Sequence, residues 1–429
     1  MSKEFNIAVV GLGQIGSYLL NELNTKKKDI LNKTGKKINI VAISAKNKNK
    51  KRTFKINKKI FYSDPLKIAK DKNIDILFEV IGSSDGISKK LVELALKNKI
   101  HVITPNKALI SKHGDYLSKL AENNKVNLEF EASVGGGIPI LRTIKEGLAT
   151  NKISKVYGIL NGTSNYILSE METTKNSFAN VLKKAQLLGY AEPGNPKLDL
   201  NGYDALAKVK ILSSLSFNNK ISNSKYLMEG IENIESKDIE IVDQLNYRIK
   251  LLGITEIINN HLFERVHPCL VKKNTYIGNV NGVMNAVILE GKPVGESVLQ
   301  GEGAGPGPTS SALMSDLLSI LRGNIKFPFG ISDKKRKKVK IYNINKYSNA
   351  LYLRLEVKDK PGVLSSITKQ LAKYNISVKR LIQIPDHKKK TASIAIITHD
   401  ANELNSKKCI KSFKANKNII KSPVLIRLF

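Results

Sequence analysis

Apolar and polar positions run in two rhythms along this chain, and the rhythm changes after its first third. Short apolar runs at residues 6–10, 39–43, 76–80, 101–103 and 128–131 are separated by stretches with helical spacing. Strands alternating with helices predict a parallel sheet with helices on both faces. The alternation breaks at Gly135-Gly136-Gly137-Ile138-Pro139, and longer elements follow to about residue 300. Among them, residues 202–212 read as a core helix, with Ala205, Leu206, Val209, Ile211 and Leu212 at helical spacing. A glycine- and proline-rich loop at 301–308 leads into a helix over 310–321 that carries Leu313, Leu317, Leu318 and Leu321. Residues 331–349 are basic and polar and read as a linker. Beyond them, strands at 351–357, 377–384, 391–397 and 424–428 and helices at 363–374 and 402–414 give the β-α-β-β-α-β order of a ferredoxin-like unit.

A length of 429 residues implies two or three domains, and 41% hydrophobic with 25% charged residues is globular composition. No apolar run is long enough to span a membrane, and no signal-like segment precedes the first strand. Cys269 and Cys409 lie far apart without metal or redox spacing, and the histidines form no cluster, so the chain reads as a reduced, cytoplasmic protein without zinc. The net charge of +34 invites a nucleic-acid partner. Against that, the lysines are scattered, tryptophan is absent, and no aromatic-basic platform or nucleic-acid motif occurs. No nucleic-acid and no membrane partner is expected.

"GLGQIG" places Gly11, Gly13 and Gly16, with Gln14 and Ile15 between them, after a strand and at the start of a helix. The first glycine permits the tight turn, the second lets a pyrophosphate approach the backbone, and the third lets helix and sheet pack closely. A Rossmann-type dinucleotide site follows. Its second strand ends in Ser44, Ala45 and Lys46, then Lys50, Lys51 and Arg52, where an NAD site usually carries an acid. Cations there suit a 2′-phosphate and favour NADP(H) over NAD(H). Asp204 and Lys208 stand four apart on one helix. The spacing alone fits an ordinary helix ion pair or an acid and amine turned into a site.

Five segments in order are more specific: "VITPNKALI", "EASVGGGIPI", "GILNGTSNYIL", "GYAEPGNPKLDLNGYDALAKVKIL" and "GEGAGPGPTSSALMSDLL". With the C-terminal "VKDKPGVLSSITKQLAKYNISV", the chain resembles the homoserine dehydrogenase family in its long form, which ends in an ACT regulatory domain. The resemblance implies an α/β protein of three parts: a Rossmann-type domain (1–134 with 305–330), an α+β catalytic and dimerisation domain (135–304), and a ferredoxin-like ACT domain (350–429). It implies NAD(P)H-dependent, reversible reduction of L-aspartate 4-semialdehyde to L-homoserine, on the route to threonine, isoleucine and methionine. The matching positions make Lys208, Lys107 and Asp204 catalytic, with Lys208 preferred as proton donor, and place Glu192, Asp204 and Lys107 on the substrate. Ser83, Thr104 and Lys107 would border the nicotinamide, and Gly303, Ala304 and Gly305 would return to the cofactor. Glu131 with the carbonyls of Val134, Gly136 and Ile138 matches a monovalent-cation site, usually sodium. Asp359, Pro361 and Gly362 would receive an amino-acid effector, with threonine expected, in a homodimer or homotetramer.

One departure from the family pattern is an extra residue between Glu192 and Asp204. Two other readings have less support. Another ACT-bearing dehydrogenase, such as a 2-hydroxy-acid enzyme, would need a catalytic histidine paired with a carboxylate, and no histidine here sits in such a motif. A non-catalytic protein, basic and nucleic-acid-binding or amino-acid-sensing, would not need Lys107, Asp204 and Lys208 intact.

Overall fold

The computed structural model describes residues 4–48, 57–194, 196–223 and 226–429. The first sheet grows from β1 (Glu4–Val10), β2 (Lys37–Ser44), β3 (Phe61–Tyr62), β4 (Ile76–Glu79), β5 (His101–Ile103) and β6 (Leu128–Glu129). All its pairings are parallel, in the order β3-β2-β1-β4-β5-β6. This is the strand order of a Rossmann domain, whose ligands lie outside the carboxyl ends of the strands. Helices α1 (Gln14–Thr25), α2 (Lys27–Thr34), α3 (Pro65–Ile68), α4 (Ile87–Lys97) and α5 (Lys107–Asn124) connect the strands. Leu19 and Leu23 of α1 share one buried cluster with Ile7 and Val9, while Leu91 of α4 and Leu109 of α5 join Ala8 and Val10 in another. The alternation of β1 residues between two clusters is what a strand covered on both faces requires.

After α6 (Ile140–Arg142), β7 (Lys152–Ile159), α7 (Gly162–Thr174), α8 (Phe178–Leu187), α9 (Lys197–Leu200), α10 (Tyr203–Ser216), β8 (Leu227–Met228), α11 (Ser236–Gln244), β9 (Tyr247–Ile258), β10 (His261–Lys272), β11 (Met284–Lys292) and β12 (Gly295–Glu302) build the second domain. The chain then returns to the first domain through α12 (Pro306–Leu321), which packs Leu313, Leu317 and Leu321 into the cluster of Leu19 and Leu23. The C-terminal unit comprises β13 (Ser348–Asn349), β14 (Leu351–Lys358), α13 (Val363–Lys373), β15 (Val378–Asp386), β16 (Thr391–Thr398), β17 (Ala401–Asn402), α14 (Glu403–Lys414) and β18 (Val424–Leu428). Its helices bury Ile367, Leu371, Cys409 and Phe413 against Leu353, Leu355 and Ile394 of the strands.

The second and third domains share one sheet, in the order β12-β11-β7-β9-β10-β18-β14-β16-β15, with β8 on β10. The junction is the parallel pairing of β18 on β10, Cys269 with Arg427 and Leu270 with Leu428. Nor is 331–349 the free linker its composition predicts. Arg336 is buried and pairs with Asp115 at 2.6 Å, and Leu262 N donates to Lys340 O at 2.8 Å. Composition registers the charges of such a stretch but not the partners that neutralise them. Among the described residues, no helix is long and apolar enough to cross a membrane.

Candidate active site

The glycines after β1 leave a cradle. Gly11 has φ +106°, and a Cβ there would stand 2.3 Å from Val80 O; one on Gly16 would stand 1.9 Å from Gly11 O. Gly13, the N-cap of α1, has no atom within 4 Å of its Cβ direction, and no side chain caps the helix. Unfilled space over the amides of Gln14 and Ile15 fits a pyrophosphate on a helix N-terminus. At the end of β2, Ser44 is buried and accepts from Gly11 N, Ala45 is half-buried, and Lys46 is exposed. Arg52, Lys50 and Lys51 lie outside the described residues.

Next to the cradle, one buried carboxylate organises three loops. Glu79, at the end of β4, accepts from Ile81 N (2.9 Å) and Ser88 Oγ (2.9 Å) on one oxygen, and from Thr104 Oγ1 (2.6 Å) and Asn106 Nδ2 (3.3 Å) on the other. Asn106 Nδ2 also donates to Ser83 O (2.7 Å), and Asn106 Oδ1 caps α5 by accepting from Leu109 N. Ser83 and Thr104 are thereby held on one wall, and Lys107 is delivered at the first turn of α5. Sequence reading missed Glu79. Its signal is a lone acid closing an otherwise apolar strand, Ile76-Leu77-Phe78-Glu79.

Lys107 reaches out of the first domain to Asp204 Oδ1 at 2.6 Å. Lys208, one turn along α10, donates to Asp204 Oδ2 at 2.7 Å and to Leu160 O at 2.6 Å. One carboxylate therefore bridges two amines from two domains. Asn161 caps α7 through Ser164 N, and its amide donates to Asp204 Oδ2 (3.1 Å) and Asp199 Oδ1 (2.8 Å). Asp199 is a second carboxylate that sequence reading did not single out; it sits in the "KLDLNGYD" run that carries Asp204. Glu192 remains exposed at the rim, with no side-chain hydrogen bond to this cluster among the described residues.

Burial works against every charge here, and the neighbours decide the outcome. For Asp204, burial would raise the pKa, but Lys208 and Lys107 hold it far below the usual carboxylate range. Lys208 is lowered by burial and by the charge of Lys107, despite Asp204. Lys107 also meets a burial penalty, but Asp204, and then Asp199 and Glu192, raise it overall. Asp199 is raised by burial and by the charge of Asp204. The two amines are thus unequal: the deep one, Lys208, releases its proton more readily than the outer one.

The last wall is formed by glycine turns. Gly136 (φ +53°) lies so close to the second turn that a Cβ would meet Gly303 O at 2.7 Å, and Gly305 (φ +108°) opens α12 next to Ala304. Glu131 accepts from Leu141 N and Arg142 N, both at 2.8 Å, and a carboxylate so bonded keeps lone pairs for another ligand. Ile138 O accepts from Ile140 N at 2.8 Å, while Val134 and Gly136 complete the loop. In the C-terminal unit, the turn Asp359-Lys360-Pro361-Gly362 borders a cavity of about 250 Å³, with Gln383 Nε2 donating to Asp359 Oδ1 at 3.3 Å.

A sheet shaped to receive a dinucleotide, opening onto amines able to protonate an oxygen, defines a nucleotide-dependent oxidoreductase. Family models match it in three consecutive pieces: the homoserine dehydrogenase NAD-binding domain over 11–131, homoserine dehydrogenase over 139–318 and the ACT domain over 351–417. The homoserine dehydrogenase of Neisseria gonorrhoeae is 37% identical over 432 residues, covering 99% of both chains. That of Helicobacter pylori is 36% identical and covers 100% of both. The crystal structure of a homoserine dehydrogenase from Thiobacillus denitrificans superposes with a TM-score of 0.92 at 35% identity, over 100% of this chain and 99% of that one. The chain belongs to the homoserine dehydrogenase family, oxidoreductases acting on a CH–OH group.

Proposed function

We propose that this chain interconverts L-aspartate 4-semialdehyde and L-homoserine, with NADPH preferred over NADH. The observation that carries the proposal is Asp204 bound at once by Lys107, at 2.6 Å, and by Lys208, at 2.7 Å, where the dinucleotide domain meets the second domain. Gly11, Gly13, Gly16 and the Gly303–Gly305 turn would hold the dinucleotide, which would supply the hydride. Reduction of the aldehyde leaves charge on its oxygen, which an ammonium stabilises and protonates. Lys208 has three N–H donors and spends two on Asp204 and Leu160 O, leaving one for that oxygen. Lys107 assists from the cofactor side. The ammonium of the substrate is matched by Asp204, Asp199 and, at the rim, Glu192; its carboxylate needs the remaining donors of the cleft.

The NADPH preference is supported by a second strand that ends without an acid and continues into Lys46 and Arg52. A sodium ion held by Glu131 with the carbonyls of Val134, Gly136 and Ile138 would tie that loop to the cofactor turn. The ACT cavity at Asp359, Pro361 and Gly362 suits a small amino acid, and we assign it threonine, acting as a feedback inhibitor of a biosynthetic enzyme. Two or four copies form the working assembly, and the buried free cysteines suit the cytoplasm. The test is NADPH consumption with aspartate semialdehyde, repeated with NADH and with added threonine. Turnover faster with NADPH and suppressed by threonine is the expected result. No turnover with either nucleotide from folded protein would overturn the assignment.

A further inference from the structure

The segment that carries Asp199 and Asp204 is not held by the active site alone. Its backbone is braced from behind by residues 227–231. Ile231 N donates to Leu200 O at 3.1 Å, and Gly230 packs so tightly that a Cβ would stand 2.3 Å from Leu200 O and 2.8 Å from Asn201 Cα. Gly202 (φ +86°), the residue that opens α10, leaves a Cβ only 2.9 Å from Val266 Cγ1 and 3.6 Å from Met228 Cγ. Glu229 lies in the middle of this brace. Its amide donates to Val266 O at 2.9 Å, and its carboxylate points to the C-terminal domain, where Arg427 meets both oxygens at 2.7 and 3.0 Å. Arg427 is 2% exposed, and its guanidinium also grips Glu403 at 2.7 and 3.1 Å. The planar guanidinium meets Glu229 on its Nη1–Nη2 edge and Glu403 on its Nε–Nη2 edge, so the two-bonded contact with Glu229 carries position and not only charge.

We infer that Glu229, clamped by Arg427 of the C-terminal domain, is a positioning residue for substrate: through Gly230 and Ile231 it sets where Asp199 and Asp204 stand. The inference rests on the reading of Asp204 and its neighbours as the substrate pocket. The brace bears on Leu200 and Asn201 and on none of the residues assigned to the dinucleotide, so loss of the clamp is expected to act on the amino-acid substrate alone. A built-in control is available. Glu403, the first residue of α14, holds the other edge of the same guanidinium and is no part of residues 227–231, so Glu403→Gln removes comparable bonds and leaves the brace in place.

The experiment is steady-state homoserine oxidation by the full-length chain and its Glu229→Gln and Glu403→Gln variants, with melting temperatures measured in parallel. Glu229→Gln is expected to raise KM for homoserine about tenfold, leaving kcat and KM for the dinucleotide within about twofold. Glu403→Gln is expected to lower the melting temperature by a similar amount with KM for homoserine unchanged. Equal KM values in wild type and Glu229→Gln would overturn the inference, as would equal rises in both variants. If Glu229→Gln does not fold, Arg427→Lys, which keeps the charge and loses the fork, must show the same selective rise in KM or the inference fails. Lys208→Ala separates the two levels: full activity in that variant sinks the pocket assignment itself, whereas a dead Lys208→Ala beside a KM-silent Glu229→Gln sinks only the clamp.

Discussion

Two lysines share Asp204 at the residue scale, and their protonation is unequal. Under the proposed mechanism Lys208, buried and lowered, is the better acid for reduction and the amine that becomes neutral first for oxidation. Homoserine oxidation should therefore climb with pH through a midpoint below the ordinary lysine value of 10.5. Asp204 is the main group that raises Lys208, so Asp204→Asn should move that midpoint further down and raise KM for homoserine. A midpoint that stays put would show that another group titrates. Lys208→Ala should cut kcat by about 10²–10⁴-fold with dinucleotide affinity, read by fluorescence titration, unchanged; near-normal kcat would move the proton donor elsewhere. That Lys107, Asp204 and Lys208 meet was legible in advance only through their motifs, since helical spacing put Asp204 and Lys208 on one face and fitted an ordinary ion pair equally well. Asp199 and Glu79 were not legible. A short acid in a polar loop has no local signature, and a lone acid at the end of an apolar strand is conspicuous without saying which donors converge on it; only the fold shows those.

Elements were easier to read than contacts, since periodicity reports burial directly. Strands His101–Ile103 and Val424–Leu428 end where the apolar runs end, and α10 simply continues past Leu212 to Ser216. The stretch 331–349 was misread because its two anchors, Asp333 and Arg336, are charges whose partners come from α5 and from around Lys220. The glycine fingerprint permits a sharper test at this scale. Gly13 has φ −76° and open space beyond it, so Gly13→Ala should leave the melting temperature unchanged and raise KM for the dinucleotide at least about tenfold, because the methyl would sit where the pyrophosphate approaches. Gly16→Ala forces a methyl within 1.9 Å of Gly11 O and should lower stability and nucleotide affinity together. Unaltered nucleotide kinetics in Gly13→Ala would mean that the pyrophosphate does not cross the N-terminus of α1.

The whole molecule is tied together by its shared sheet. A C-terminal domain strung on a free linker could be removed without harm to the rest. Here β18 occupies the edge of β10, and Arg354 of β14 reaches across to Asp238 of α11 with bonds of 2.6 and 3.0 Å, joined by Tyr352 at 2.9 Å. Asp238 is fully buried. Removing residues 350–429 would leave that carboxylate without its counter-ion, at about 3–5 kcal/mol, and would uncover the stretch of β10 at Cys269 and Leu270 that β18 pairs. The truncated chain is thus expected to melt roughly 10 °C or more below the full chain, to aggregate on size-exclusion chromatography, and to bind homoserine weakly for want of Arg427. Asp359→Ala should behave differently, since the turn is exposed and carries no part of the sheet junction: stability and basal turnover should be kept while the response to threonine is lost. A truncated chain that stays soluble with an unchanged melting temperature would show that the shared sheet is not what holds the catalytic domain in shape.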